Sequence, residues 1–184
     1  MTNDLPDDAD ALARRAQEVL RAIEQSGMRV ATAESCTGGL IASLLTDIEG
    51  LSRNFERGFV TYSEEAKCEL LGIEPVFIAR HGVVSREVAL AMAEGALANS
   101  RADLALAVTG FAGPAGSHDE AGLVHLALVG RNGRPVTREC HFGDAVRDRV
   151  RFLTAQAALE MFAEVVGNGE DLGSTIAESL ARHG

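Results

Sequence analysis

The sequence is poor in aromatic residues, with no tryptophan, one tyrosine and an aromatic content of 4%. This excludes an interior built on aromatic rings, so alanine, valine and leucine must fill the core, as they often do in layered α/β folds. Apolar residues make up 46% and charged residues 24% of the chain, which is typical of a globular protein. A chain of 184 residues can bury a core without disulfide or metal staples, and we expect residues 1–184 to form one domain.

Cysteine is scarce as well, since Cys36, Cys68 and Cys140 are far apart in the sequence and form no CxxC pair. The N-terminal segment is acidic, the opposite of a secretory signal, and the number of cysteines is odd. Together these features predict reduced thiols in the cytoplasm. No apolar run approaches the roughly 18 residues that a membrane span needs, so we expect no membrane partner.

Basic residues are outnumbered, with 17 lysines and arginines against 27 acidic residues and a net charge of −10. A nucleic-acid partner is therefore not expected, because binding phosphates requires clustered cations. The five histidines form no defensible triad and no HxxxH or HExxH pair, so we expect no metal and no cofactor. Six arginines within residues 131–151 are interpreted as the solvated face of a hairpin and a helix.

Helical and strand patterns alternate along the first two thirds of the chain. The spacing of apolar residues predicts helices over residues 8–25, 40–45, 63–72, 85–100 and 146–161. Strands are predicted over residues 28–33, 59–62, 104–109, 122–129 and 135–142, the last two joined by an Asn-Gly hairpin turn. We therefore predict a three-layer α/β/α sandwich with a mixed, mostly parallel sheet of about five strands. The acidic, glycine-rich tail over residues 167–184 adds one short amphipathic turn around Ile176 and Leu180.

The first strand–helix turn, residues 33–39, carries the polar residues of greatest interest. Ser35 follows the strand, and Gly38 and Gly39 allow a substrate to approach the backbone. A hydroxyl among the N–H groups of a helix start has the elements of a serine nucleophile with a backbone oxyanion hole. Two alternatives stay open: Ser35 or Thr37 is simply the helix N-cap, or the neighbouring Cys36 is the nucleophile.

A serine nucleophile needs a base, and Lys67 is a better candidate than any histidine. It falls one turn into a helix, whose positive end lowers a lysine pKa, and burial would lower the pKa further. The alternative is an ordinary surface lysine, because lysine is almost never fully buried. Tyr62 precedes this helix and either orients the two groups or is a plain strand aromatic.

A second glycine loop follows the apolar strand at residues 104–109. Its N–H groups, beginning at Thr109 and Gly110 and including Gly113, are candidates to hold a phosphate or ribose. The loop matches neither common nucleotide-binding glycine motif, and a plain connecting loop is the alternative.

Several of these segments together form a longer pattern. The matching motifs are residues 32–39, 55–63, 65–67, 71–72, 81–82, 84–85, 109–110, 112–114 and the arginines Arg147 and Arg151. Over residues 11–162 the chain resembles the CinA C-terminal domain family. The resemblance implies a dimer-forming α/β/α sandwich that hydrolyses the amide of nicotinamide mononucleotide (NMN), giving nicotinate mononucleotide and ammonia.

The resemblance also implies roles for individual residues. Ser35 becomes the nucleophile, Lys67 the general base and Tyr62 an assisting hydroxyl. The residues expected to bind substrate are those of the first turn, those of the second glycine loop and three arginines: Cys36, Thr37, Gly38, Gly39, Thr109, Gly110, Gly113, Arg57, Arg147 and Arg151.

The chain departs from the family pattern in two places. Glu64 stands where many members have asparagine, and residues 115–122 replace the usual glycine-rich stretch. Two other functions therefore stay open. One is a non-catalytic nucleotide-binding or interaction protein, related to competence or damage, and the other is an amidohydrolase for a different small amide.

Overall fold

The computed structural model describes residues 5–50, 52–113, 119–131 and 133–167. The predicted turn around Ile176 and Leu180, the loop residues 114–118 and Asn132 lie outside this part of the chain. The α-helices are α1 (Leu5–Ser26), α2 (Leu40–Thr46), α3 (Glu64–Leu71), α4 (Pro75–His81), α5 (Arg86–Ala98) and α6 (Arg147–Gly167). The strands are β1 (Val30–Glu34), β2 (Phe55–Val60), β3 (Leu104–Gly110), β4 (Leu123–Gly130) and β5 (Val136–His141).

The five strands form one mixed sheet in the order β2-β1-β3-β4-β5. The pairs β1–β2 and β1–β3 are parallel, and the pairs β3–β4 and β4–β5 are antiparallel. Only β4 therefore runs against the other strands of the described sheet. The carboxyl ends of β1, β2 and β3 meet at one edge, where ligands gather in open α/β sheets. The predicted mixed sheet is confirmed.

Helices cover both faces of the sheet and enclose two apolar cores. Along β3, Leu104, Leu106 and Val108 pack with the core residues of α1, α2 and α6. The alternating alanines Ala105 and Ala107 pack with α5 and with the inner sides of α3 and α4. Because neighbouring side chains of a strand point to opposite faces, β3 separates large residues on one face from small ones on the other. The three-layer prediction is confirmed.

The local stop and start signals in the sequence act as predicted. The side chains of Ser63 and Ser85 accept hydrogen bonds from the N–H groups of Ala66 and Val88, and so cap α3 and α5. Gly72 ends α3 with a φ of 70°, a left-handed conformation that glycine adopts at little cost.

Several element bounds differ from the prediction: α6 continues to Gly167, six residues past the predicted end, and β2 ends at Val60, so Tyr62 follows the strand. Strand β2 begins at Phe55, four residues earlier than predicted, because the charged and glycine residues of its first half conceal the apolar alternation. Helix α4 was not predicted; it has proline in its first turn and buries only Ile78, so it lacks a helical apolar period. In the described part of the chain, no helix is both long and apolar enough to cross a membrane.

Candidate active site

Ser35 lies directly after β1, at the carboxyl edge of the sheet. Its N–H donates to the carbonyl of Val108 on β3, and its own carbonyl accepts from the N–H of Gly38, both at 3.1 Å. Gly38 and Gly39 then adopt positive φ angles of 60° and 93°, which turn the chain into α2. The backbone thus holds Ser35 in a tight turn between two parallel strands and a helix.

The N-cap of α2 is Gly39, not Ser35 or Thr37. Gly39 makes no side-chain cap, and the Thr37 hydroxyl donates to the Glu34 carboxylate at 2.7 Å. The hypothesis that Ser35 or Thr37 is merely a helix cap is therefore wrong. The Ser35 hydroxyl is left for another partner.

That partner is Lys67, on the first turn of α3. Its side chain is fully buried, and Nζ lies 3.1 Å from Ser35 Oγ and 2.8 Å from the carbonyl oxygen of Thr61. Within the described residues, Lys67 has no carboxylate at ion-pair distance. The interpretation of Lys67 as an ordinary surface lysine is wrong.

The surroundings of Lys67 favour its neutral form. Burial lowers the pKa of the ammonium group, and the Glu64 carboxylate opposes this only in part. A neutral amine has a lone pair, which can accept the Ser35 proton across the 3.1 Å contact. The pair therefore has the geometry of a nucleophile with its base, and burial shifts the lysine toward the neutral form that a base requires.

The main chain of Thr61 ties this pair to the sheet. The Thr61 N–H donates to the carbonyl of Glu34 at 2.8 Å, and the Thr61 carbonyl accepts from Lys67 Nζ. Since Glu34 and Ser35 are consecutive, Glu34, Thr61, Lys67 and Ser35 form a closed ring of contacts. Among the described buried side chains, the Thr61 hydroxyl alone has no hydrogen-bond partner.

Glu34 is the site residue that the sequence reasoning missed. It ends the buried strand β1, and its side chain is fully enclosed. Its carboxylate accepts from the N–H groups of Gly39, Ile41 and Ala42 at 3.0, 3.1 and 2.8 Å. An acidic residue at the end of an apolar strand was the available signal, since a buried carboxylate requires several donors.

Cys36 does not have the properties of a nucleophilic cysteine. Burial raises the pKa of its thiol to about 12, so the group stays protonated at neutral pH. The N-terminus of α2 does not lower the Cys36 pKa enough to offset burial. Its N–H groups donate to the Glu34 carboxylate, and the negative charge of that carboxylate raises the Cys36 pKa further. The thiolate alternative is therefore disfavoured.

A cavity of about 240 Å³ opens beside Ser35. Its wall combines the first turn, the loop before α5, the loop after β3 and the start of α6. The lining residues are Ser35, Cys36, Tyr62, Val83, Val84, Thr109, Gly110, Phe111, Ala112, Gly113 and Arg147. Tyr62 stands at the rim with 65% of its surface exposed. Val83 and Val84, which the sequence reasoning did not select, supply apolar wall.

The second glycine loop belongs to this cavity, although its polar groups are partly engaged. The Thr109 hydroxyl donates to the carbonyl of Val83 at 2.8 Å and so fastens the loop before α5. At Gly113, a Cβ would lie 2.6 Å from Nη2 of Arg147, so a larger residue would require the end of this arginine side chain to move. The segment connects β3 and β4 and also lines the cavity beside Arg147.

The three arginines selected from the sequence occupy different places. Arg147 lines the cavity and is exposed. Arg151 instead donates twice to the carbonyl of Thr37, at 3.1 and 2.8 Å, and fastens the first turn to α6. Arg57 pairs with Glu56 and with the carbonyl of Asn99 at the end of α5, and the structure does not bring it to the cavity.

Within the described residues, no group of three or more histidine, cysteine, aspartate or glutamate side chains could hold a metal ion. Among the described residues, the cavity wall contains no histidine. The described side chains that offer polar chemistry beside Ser35 are those of Lys67, Tyr62, Thr109 and Arg147, together with the main-chain N–H groups.

Fold and site together define an α/β protein with a buried serine–lysine pair at the carboxyl edge of a mixed sheet. The family model of the CinA C-terminal domain matches residues 12–166. The chain belongs to the CinA C-terminal domain family.

Named relatives and solved structures agree with this membership. The chain is 45% identical over 152 residues to nicotinamide-nucleotide amidohydrolase PncC of Escherichia coli K12, covering 81% of this chain and 91% of that protein. It is 48% identical over 144 residues to a CinA-like protein of Geobacter sulfurreducens, covering 77% of this chain but 34% of that longer protein. The crystal structure of competence/damage inducible protein CihA from Agrobacterium tumefaciens superposes with a TM-score of 0.80 at 46% identity, covering 83% and 94% of the two chains.

Proposed function

We propose that this chain is an amidohydrolase that converts nicotinamide mononucleotide into nicotinate mononucleotide and ammonia, in the recycling of pyridine nucleotides. The observation that carries the proposal is the 3.1 Å contact between Ser35 Oγ and a buried Lys67 amine that, within the described residues, has no carboxylate at ion-pair distance. The substrate is supported by the name of the Escherichia coli relative, which is similar to this chain over most of both lengths.

In the first half of the reaction, Lys67 Nζ accepts the Ser35 proton while Oγ bonds to the carboxamide carbon. The carbonyl oxygen then carries negative charge. We assign its donors to the main-chain N–H groups after Ser35, among which Cys36 lines the cavity; the N–H of Gly38 donates to Ser35 and that of Gly39 to Glu34. The C–N bond breaks as Lys67 returns its proton to the leaving nitrogen, and ammonia departs.

In the second half, water hydrolyses the acyl-enzyme. Lys67 takes a proton from the water, the resulting hydroxide bonds to the acyl carbon, and the Ser35 oxygen leaves. Lys67 then returns the proton to Ser35 Oγ. The product is the carboxylic acid, and both residues regain their starting states.

The cavity supplies the remaining contacts in this proposal. Val83, Val84 and Phe111 provide apolar surface for the pyridine ring. Arg147 is the phosphate partner, because it is the arginine that lines the cavity and its guanidinium suits a phosphate. Tyr62 at the rim assists the pair through its hydroxyl. Arg151 acts indirectly, by holding the turn through Thr37.

The test is ammonia release from NMN by the purified protein and by three variants. Ser35→Ala and Lys67→Met should each lower kcat by about 1,000-fold or more, since such pairs act as a unit. Cys36→Ala keeps the main-chain N–H and should stay active. Unchanged turnover in Ser35→Ala would rule out the mechanism, and loss confined to Cys36→Ala would move the nucleophile to the thiol.

The same assay separates the two alternative functions. Calorimetric binding of NMN without ammonia release would indicate a non-catalytic binding protein. Release of ammonia from other small amides, with NMN inert, would indicate a different amidohydrolase.

We further propose a cytoplasmic homodimer or higher homo-oligomer, supported by the free thiols and the family resemblance. Sedimentation of the purified chain as a monomer would contradict this assembly.

A further inference from the structure

Glu34 is a charged residue where packing alone calls for an apolar one. All five residues of β1 are buried, and the Glu34 side chain is fully enclosed. In the described part of the chain, no lysine, arginine or histidine lies within ion-pair distance of it. A buried carboxylate without a cation is costly unless hydrogen bonds compensate for lost water. Its presence in the core is therefore explained only through the hydrogen bonds that its carboxylate accepts.

Most hydrogen bonds of the carboxylate lead to the chain that follows Ser35; the exception is the Thr32 hydroxyl on β1, which donates to Oε1 at 3.4 Å. Oε2 accepts from the Thr37 hydroxyl and from the N–H groups of Gly39 and Ile41, and Oε1 accepts from the N–H of Ala42. Backbone N–H groups only donate, so both oxygens act as acceptors, as a carboxylate requires. Gly39 has no side chain to cap α2, and Glu34 performs that task from five residues upstream.

The main chain of Glu34 leads to the base. Its carbonyl accepts the Thr61 N–H at 2.8 Å, and the Thr61 carbonyl accepts from Lys67 Nζ at 2.8 Å. The residue before the nucleophile is thus joined through its side chain to the turn after Ser35 and through its carbonyl to the partner of Lys67. A shift of Glu34 alters both ends of the Ser35–Lys67 contact.

We propose that Glu34 is a positioning residue for the Ser35–Lys67 pair. It does not touch the substrate; its carboxylate fixes the turn that directs Ser35 Oγ toward Lys67 Nζ. The inference rests on the proposed function, which it deepens by naming the group that pre-organises the nucleophile. Misplacing a reacting group by about 1 Å costs on the order of 100-fold in rate, so a positioning role predicts a large effect on kcat.

Glu34→Gln tests this with little change of shape. The amide keeps one acceptor oxygen but directs an NH₂ group at backbone N–H donors, so the turn must shift. We expect kcat per folded molecule to fall by about 10- to 100-fold, with KM changed less than about twofold. Thr37→Val removes a single donor to the carboxylate and should lower kcat in the same way but by a smaller factor. This variant provides the test if Glu34→Gln does not fold.

The matched control is Leu20→Ala, which removes buried side-chain volume from α1, a helix that contributes none of the described residues lining the cavity. It should lower the unfolding temperature yet leave kcat per folded molecule unchanged when measured well below that temperature. If Glu34→Gln behaves like Leu20→Ala, Glu34 is structural and the inference is overturned. A raised KM with unchanged kcat also overturns it, since that result indicates substrate contact.

A second readout does not depend on the substrate. A fluorophosphonate probe reports Ser35 nucleophilicity by its labelling rate, with Ser35→Ala as the blank. Labelling should slow in Glu34→Gln by about the same factor as kcat, and should not slow in Leu20→Ala. If the unaltered protein is labelled at Ser35 but does not hydrolyse NMN, the substrate proposal fails. The labelling rates of Glu34→Gln and Leu20→Ala then still test whether Glu34 positions Ser35. If Ser35 is not labelled and NMN is not hydrolysed, both proposals fail.

Discussion

Lys67 illustrates, at the scale of a single residue, how burial sets chemical behaviour. The amine is enclosed beside one hydroxyl and one carbonyl oxygen, and burial lowers its pKa. Between that lowered pKa and the ordinary lysine value, the unfolded chain binds a proton that the folded chain does not. The free energy of unfolding therefore increases with pH across this window. The same deprotonation would produce the base that the proposed mechanism needs.

Activity should accordingly increase with pH up to a plateau. Below the lowered pKa of Lys67, kcat/KM for NMN should fall tenfold for each pH unit, because only the neutral amine accepts the Ser35 proton. Glu64 raises the pKa of Lys67. The substitution Glu64→Gln should therefore shift the acidic decline of kcat/KM to lower pH by about half a pH unit or less. Glu65→Gln is the matched control: Glu65 is also exposed but has no resolved effect on Lys67. If Glu64→Gln leaves the acidic decline of kcat/KM at the same pH, the group that titrates there is not Lys67.

At the scale of elements, the approach of α5 to α3 depends on one glycine. A Cβ at Gly95 would lie 2.3 Å from the carbonyl oxygen of Leu71 and 2.8 Å from its Cβ. Both separations are shorter than a van der Waals contact, so only a residue without a Cβ fits at position 95. The backbones of the two helices are therefore in direct contact. The contact sets the end of α3, the helix that carries Lys67.

Gly95→Ala should therefore destabilise the fold although alanine favours helices. Overpacking costs about 1–3 kcal/mol, more than the gain of about 0.5–1 kcal/mol in helix propensity. Gly167→Ala in α6 is the matched control, because nothing lies within 4 Å of a Cβ there. Thermal unfolding measures both variants. Equal unfolding temperatures for the two variants would show that α3 and α5 separate at no cost.

Elements with local signals could be predicted from the sequence, whereas features set by distant contacts could not. The Ser63 and Ser85 caps, the end of α3 at Gly72 and the β4–β5 hairpin each depend on a few adjacent residues. The burial of Lys67 depends on Thr61 and on β1, which lie on other elements. The capping of α2 by Glu34 likewise crosses a turn that no cap motif describes. Ser35 and Lys67 could be selected, but their contact required the fold.

At the scale of the whole molecule, the middle of the sheet is shielded by helices on both faces and by strands on both sides. Strands β1 and β3 are buried almost throughout, while the flanking β2 and β5 alternate between half-buried and exposed residues. Ser35 is attached to the two central strands through its own position and through the carbonyl of Val108. The proposed nucleophile thus stands at the end of a buried part of the sheet.

Hydrogen exchange should follow this arrangement. Amides of β1 and β3 should exchange slowest, and those of β2 and β5 faster, because opening a flanking strand exposes less apolar surface. Mass spectrometry of peptides from each strand provides the measurement. If β5 exchanges as slowly as β3, that edge is covered in solution, and dilution to lower protein concentration would show whether a second copy covers it.

Thr61 contributes to the ring around Ser35 through its N–H and carbonyl, while its hydroxyl has no hydrogen-bond partner among the described residues. Substitution cannot remove main-chain groups of this kind, except that proline removes the N–H. A change at position 61 therefore acts mainly through side-chain volume, and a residue of similar size, such as valine, should leave the ring intact. The contacts of Lys67 with Ser35 and Thr61 belong to its side chain, so most substitutions of Lys67 remove them. The ring thus combines main-chain contacts that tolerate substitution with side-chain contacts that do not.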